Sequence, residues 1–92
     1  MYLRGQEEET YNALFIDPPC LNELTAQICA RYGIAVGDVR RVLKKTKKGL
    51  LVKVDDAVVA RTMDESDYVV EIEPNGVGGG VAIVLLPGEG VE

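Results

Sequence analysis

The side chains that could carry chemistry in this chain are few and unevenly placed. Six of its ten basic residues fall between Arg40 and Lys48, and seven acids against the single Arg61 fall between Asp55 and Glu73. There is no histidine, so neither a Ser/His/Asp nor a Cys/His nucleophile set can be assembled. A zinc site would have to come from four cysteines or carboxylates, and the chain has two cysteines. Cys20 and Cys29, if on one helix, stand roughly 13 Å apart, about double the Cα separation a disulfide tolerates. They read as a half-exposed thiol at Cys20 and a buried one at Cys29.

The paired acids Asp55-Asp56 and Asp64-Glu65 have the type needed for proton transfer. They sit in turns of an acidic segment, with no histidine or cysteine nearby, and read as helix caps or solvated turns. The glycine loop Gly76–Gly80 lacks the GxGxxG spacing and a following GK[ST], and it precedes a strand rather than a helix. It reads as a hairpin-like linker. No catalytic residue, no cofactor and no metal ligand is therefore expected. The basic run Arg40–Lys48 leaves three readings open: a solvated strand face, a protein contact, or a nucleic-acid or nuclear-import patch. The net charge of −5 and the lack of interleaved aromatics disfavour the last.

Ninety-two residues, 47% of them apolar, suit one domain (1–92) with a small core, for which self-association would add stability. No apolar run approaches the roughly 18 residues of a membrane span, and no secretory n-region opens the chain. A soluble intracellular protein is expected.

The elements that must position these residues follow from periodicity. Tyr2–Arg4 and Tyr11–Ile16 read as a hairpin, with Tyr11, Ala13 and Phe15 on one face and Leu14 and Ile16 on the other. Pro18-Pro19 closes it. Leu21, Leu24, Ile28 and Tyr32 fall at helical spacing, so a helix is expected over Leu21–Tyr32, with Cys20 or Asn22 near its N-cap and Gly33 ending it in a left-handed conformation. Val39–Lys45 and Leu50–Val54 read as a second hairpin turning at Thr46–Gly49. A short helical turn over Asp55–Thr62 would be capped by Asp55 or Asp56. Tyr68–Glu73 alternates, with Tyr68, Val70 and Ile72 facing one way and Val69, Glu71 and Glu73 the other. Residues 74–80 form a glycine-rich loop, Val81–Leu86 is a continuous apolar strand, and residues 87–92 form a flexible tail.

This order predicts an α+β, ubiquitin-like β-grasp (ββαββ, short turn, β) with an additional C-terminal strand. In a β-grasp the strand Tyr68–Glu73 already lies mid-sheet. Val81–Leu86 is therefore expected to cover an edge, pack across a face or pair with another chain.

With the elements placed, KKTKKGLLVKVDD at Lys44–Asp56 resembles the basic-turn signature near the C-terminus of Grainyhead-type transcription factors. YNALFIDPP at Tyr11–Pro19, the helix end Arg31–Ile34 and the acidic turn Asp64–Tyr68 resemble the same family in order and register, over roughly Tyr2–Glu73. The resemblance implies a ubiquitin-like dimerisation domain of a nuclear DNA-binding protein. The partner is then a second copy of the chain, with no small-molecule substrate, no direct nucleic acid contact and no membrane. The expected interface takes Val81, Ile83, Val84 and Leu85 from the last strand and Leu50 and Val52 from the second hairpin. Lys44, Lys45, Lys47 and Lys48 flank it, so that bases of one copy face acids of the other. The rival readings are a heterotypic PB1-like adaptor using basic and acidic patches head to tail, and a ubiquitin-like modifier, which needs a free C-terminal Gly-Gly.

Overall fold

The computed structural model describes residues 1–62, 67–76 and 78–88. β1 (Tyr2–Gly5) pairs antiparallel with β2 (Asn12–Ala13). β2 is shorter than the β-prone stretch Tyr11–Ile16, because Pro18 and Pro19 cut the ladder short and the Leu14 N–H to Met1 O bond (2.8 Å) is its last rung. Alternation still holds beyond it, with Leu14 buried and Phe15 exposed.

The helix α1 spans Leu21–Tyr32. At its C-terminus Gly33 adopts φ 71°, and the Ile34 N–H returns to Cys29 O at 3.0 Å, closing the helix as a left-handed cap requires. Its N-terminus is capped from a distance. Cys20 offers no side-chain bond, whereas Asp56 Oδ1 accepts the Leu21 N–H at 2.8 Å from 35 residues along the chain. Asp56 also opens the second helix, α2 (Asp56–Thr62), whose own first turn is capped by Asp55 Oδ1 accepting the Val58 N–H at 2.9 Å. Adjacent aspartates thus cap two helices. Asp56→Ala is expected to cost roughly 1 kcal/mol, a fall of about 4–8 °C in melting temperature for a chain of this size, read by circular dichroism.

β3 (Val39–Lys45) and β4 (Leu51–Lys53) form the second hairpin. Thr46 holds its turn, donating its N–H to Leu50 O (2.8 Å), accepting the Gly49 N–H on its carbonyl (2.9 Å) and the Leu50 N–H on Oγ1 (3.1 Å). β5 (Asp67–Pro74) and β6 (Val81–Pro87) form a third hairpin across the glycine loop. Pro87, expected in the tail, ends β6. The Gly88 N–H donates to Asp67 O at 3.0 Å, while residues 89–92 of the expected tail, and the acids Asp64 and Glu65, lie outside the described residues.

The six strands make one sheet in the order β2-β1-β5-β6-β3-β4. β1 runs parallel to β5, and β6 runs parallel to β3. This corrects the expectation for Val81–Leu86, which is neither an edge strand nor free to pair elsewhere. Both of its backbone edges are taken, by β5 on one side and β3 on the other. The reason is burial. Ala82, Ile83, Val84 and Leu85 are all buried, and an apolar strand with a neighbour on each side withdraws more of its surface from water than one at an edge.

The core lies on one face of this sheet, between it and the helices. Leu3, Val42, Tyr68, Val70, Ile83 and Leu85 from the strands meet Leu24 and Ile28 from α1 and Val59 from α2. Cys29 is buried beside them, and burial pushes its thiol up from the ordinary range. Cys20 is half-buried and, like Cys29, free.

A polar latch ties the loop between β1 and β2 to the end of α1. The Glu8 carboxylate accepts the Gly5 N–H at 2.6 Å, the Tyr32 hydroxyl at 2.9 Å and the Asn12 amide at 3.4 Å. The Gly5 amide, then the Tyr32 hydroxyl, hold the Glu8 carboxyl below its usual range, against a smaller opposing effect of burial. A carboxyl depressed by folding stabilises the fold above its unfolded pKa, and that contribution is lost as pH falls through the folded value. Glu8→Gln is therefore expected to lose less melting temperature than the parent between pH 6 and about pH 3. At the other end, burial and Glu8 push Tyr32 up to about 12. The parent should lose stability as pH rises from about 10 toward that value.

Candidate protein-interaction face

The side chains that alternation turns away from the core form the second face of the sheet. Among the described residues both helices lie on the core side, as the shared cluster of Leu24, Ile28 and Val59 with the strand residues requires. Strand register lays the open face out in rows. One row reads Glu71, Val84, Leu43, Lys53 across β5, β6, β3 and β4. The next reads Glu73, Ala82, Arg41 across β5, β6 and β3. A third sets Arg4, Val69 and Leu86 side by side. Lys45 stands beside that row, one step past the Lys44–Leu85 pair and opposite Leu51.

The face therefore has an apolar floor between two flanks of opposite sign. The floor is Val69, Ala82, Val84, Leu86 and Leu43, with Val84 only 5% exposed. The acidic flank is β5, with Glu71 and Glu73. The basic flank is Arg41, Lys45 and Lys53 on β3 and β4. The flanks stand about 10 Å apart across β6, two strand spacings. A bulge between Val39 and Arg41 is what turns Arg41 onto this face, and its guanidinium donates to Asn75 Oδ1 at 3.2 Å. Glu71 crowds Glu73, by a hydrogen bond and by like charge, and pushes the Glu73 carboxyl up against the opposing pull of Arg41 and Lys45. On the far side Arg4 is committed within its own chain, donating to Gly5 O and Glu8 O and lying over the Tyr11 ring at 5.6 Å.

The residues expected at the interface are divided by this geometry. Ile83 and Leu85 are 0% exposed in the core, and Val81 is half-buried on the same side, opposite Val39. Val84 and Lys45 lie on the open face. Lys44 and Val52 pair with each other on the core side, where the Lys44 ammonium sits 5.9 Å from the Tyr68 ring. Lys47, Lys48 and Leu50 are exposed on the turn that joins β3 to β4. Glu71, Glu73, Arg41, Leu43 and Lys53 were not among the expected residues. The alternation of Val69, Glu71 and Glu73 was the sequence signal for the two acids, and the basic run Arg40–Lys48 the signal for Arg41. Among the described residues no group of His, Cys, Asp and Glu is placed to hold a metal ion, and no helix is long and apolar enough to cross a membrane.

Fold and face together describe a mixed α+β protein whose six-stranded sheet is covered by helices on one side and polarised by charge on the other. A family profile described as "GRHL1-like, C-terminal domain" matches residues 1–86, and the chain belongs to that Grainyhead-like family. It is 33% identical over 76 residues to Grainyhead-like protein 1 homolog of Homo sapiens, covering 83% of this chain and 12% of that protein. It is 31% identical over 86 residues to the Pongo abelii homolog of the same name, covering 94% of this chain and 14% of that one. Against Grainyhead-like protein 2 homolog of Xenopus tropicalis it is 32% identical over 73 residues, 79% of this chain and 12% of that one. The chain thus spans 12 to 14% of the length of these relatives. No solved structure matches it.

Proposed function

We propose that this chain is the homodimerisation module of a sequence-specific DNA-binding transcription factor that works in the nucleus. The chain itself performs no catalysis and makes no direct DNA contact. The observation that carries this is the open sheet face, whose apolar floor lies between an acidic and a basic flank. Such a surface complements a copy of itself. Membership of the Grainyhead-like family supports the transcription-factor setting. Lys47, Lys48 and Leu50 on the turn of the neighbouring hairpin border this contact, while Lys44, Val52, Ile83 and Leu85 lie on the core side beneath it.

The architecture is a ubiquitin-like β-grasp forming one unit. What supports this is that deleting β6 from the sheet leaves β2-β1-β5-β3-β4, with β1 parallel to β5 and the helix crossing between the two hairpins. Light scattering at micromolar concentrations tests the function. A mass of two chains is expected, and a strict monomer at every concentration would sink it. Open, salt-dissolved oligomers would instead favour a head-to-tail adaptor.

A further inference from the structure

We infer that the open sheet face seats the second copy about a two-fold axis parallel to β6, so that the β5 acids of each chain oppose the β3–β4 bases of the other. This rests on the reading that the chain self-associates, and it adds the surface and the orientation.

The face is polarised across its strands, not along them. Glu71 and Glu73 lie on one side of β6, and Arg41 and Lys45 on the other, with Lys53 beyond. Two stacked sheets can keep their strands aligned about either of two in-plane two-fold axes. An axis across the strands leaves each flank over its own copy, so acids meet acids and bases meet bases. An axis along β6 exchanges the flanks. Glu73 then lies over Arg41 of the second copy, because both share the row of Ala82.

The charges of a single chain favour that exchange. Glu71 and Glu73 crowd one another, and bases delivered from above relieve them. The floor along the axis is small and flat, with Ala82 and Val84 buried among their neighbours, which suits sheets stacked about 10 Å apart. The competing surface is the sheet edge at β4. It offers only the three residues Leu51–Lys53, and its hairpin carries Lys44, Lys45, Lys47 and Lys48. Edge pairing would bring two such clusters together. An axis along β6 overlaps five of the six strands, and a stacked face that wide and about six residues long buries on the order of 950 Å2 for the pair, the size of a weak, reversible interface.

Sedimentation equilibrium of the 92-residue chain tests this, with Glu71→Lys/Glu73→Lys, Arg41→Glu/Lys45→Glu and their equimolar mixture, after melts confirm that each variant folds. The parent is expected to dimerise, each reversed variant to bind itself at least ~10-fold more weakly, and the mixture to regain the dimer. A parent that stays monomeric overturns both self-association and this inference. A dimeric parent whose reversed variants bind as tightly overturns the face alone, as does a mixture that fails to recover. Should the reversed variants not fold, the neutral pairs Glu71→Gln/Glu73→Gln and Arg41→Gln/Lys45→Gln give the same comparison with a several-fold weakening. The axis is read separately, in a Cys20→Ser background, by mixing Glu73→Cys with Arg41→Cys and adding a short bismaleimide. A mixed 73–41 cross-link is expected, and a predominant 73–73 cross-link overturns the axis.

Discussion

Leu85→Ala is expected to destabilise the fold by about 3–4 kcal/mol, a third or more of the stability of a chain this small. Leu85 is 0% exposed and lies in the central strand, between Val70 of β5 and Lys44 of β3. Its side chain packs among the same residues that hold α1 and α2 to the sheet. A cavity there has strands on both sides, so little can move to fill it. Urea denaturation should show a lower midpoint with an unchanged slope. Leu86→Ala is the control, since its side chain turns to the open face and its loss should lower the unfolding free energy by less than about 1 kcal/mol. A Leu85→Ala variant with the parent's midpoint would remove Leu85 from the core.

Gly80→Ala is expected to cost about 2–3 kcal/mol, from two causes that act together. Gly80 holds φ +80°, which a side chain rarely adopts, and an added Cβ would lie 2.5 Å from the Asp38 carbonyl oxygen and 2.8 Å from Arg40 Cγ. The backbone must pass close there because β6 enters between β5 and β3, directly beside the bulge in β3. Gly79 separates the causes. Its φ is +75° with nothing within 4 Å, so Gly79→Ala should lose only the conformational part, about 1 kcal/mol. Equal losses at both positions would mean that β6 does not enter the sheet as tightly as described.

Much of the local structure is written in neighbouring residues. The helix Leu21–Tyr32 and its Gly33 cap follow from helical spacing and from a glycine where left-handed backbone is wanted. Both hairpin turns and the shared face of Tyr68, Val70 and Ile72 follow from local pattern, though Ile72 at the strand's far end stays exposed. The N-cap of α1 could not be read this way, because its acceptor, Asp56, reaches it across 35 residues. The apolar run of β6 was plain, but its meaning was not. Val81–Leu86 reads as covering an edge, packing across a face or pairing with another chain, until its neighbours are known.

The candidate site divides along the same line. Which residues share a parity on each strand is local, so Glu71 and Glu73 were already together on one side of β5. That they face Arg41, Lys45 and Lys53 across an apolar floor depends on which strands are neighbours and in what register. It depends as well on the bulge that turns Arg41 outward.

By itself the sequence determined the family resemblance, the identity and bounds of most elements, the lack of histidine-based chemistry and the segregation of charge. These rest on contacts between residues close in the chain, or on composition alone. Only the tertiary structure decided that the last strand is the centre of the sheet, and that acids and bases from distant segments form two flanks of one face. Strand order is settled by competition for burial among segments tens of residues apart, and no local pattern encodes the outcome of that competition.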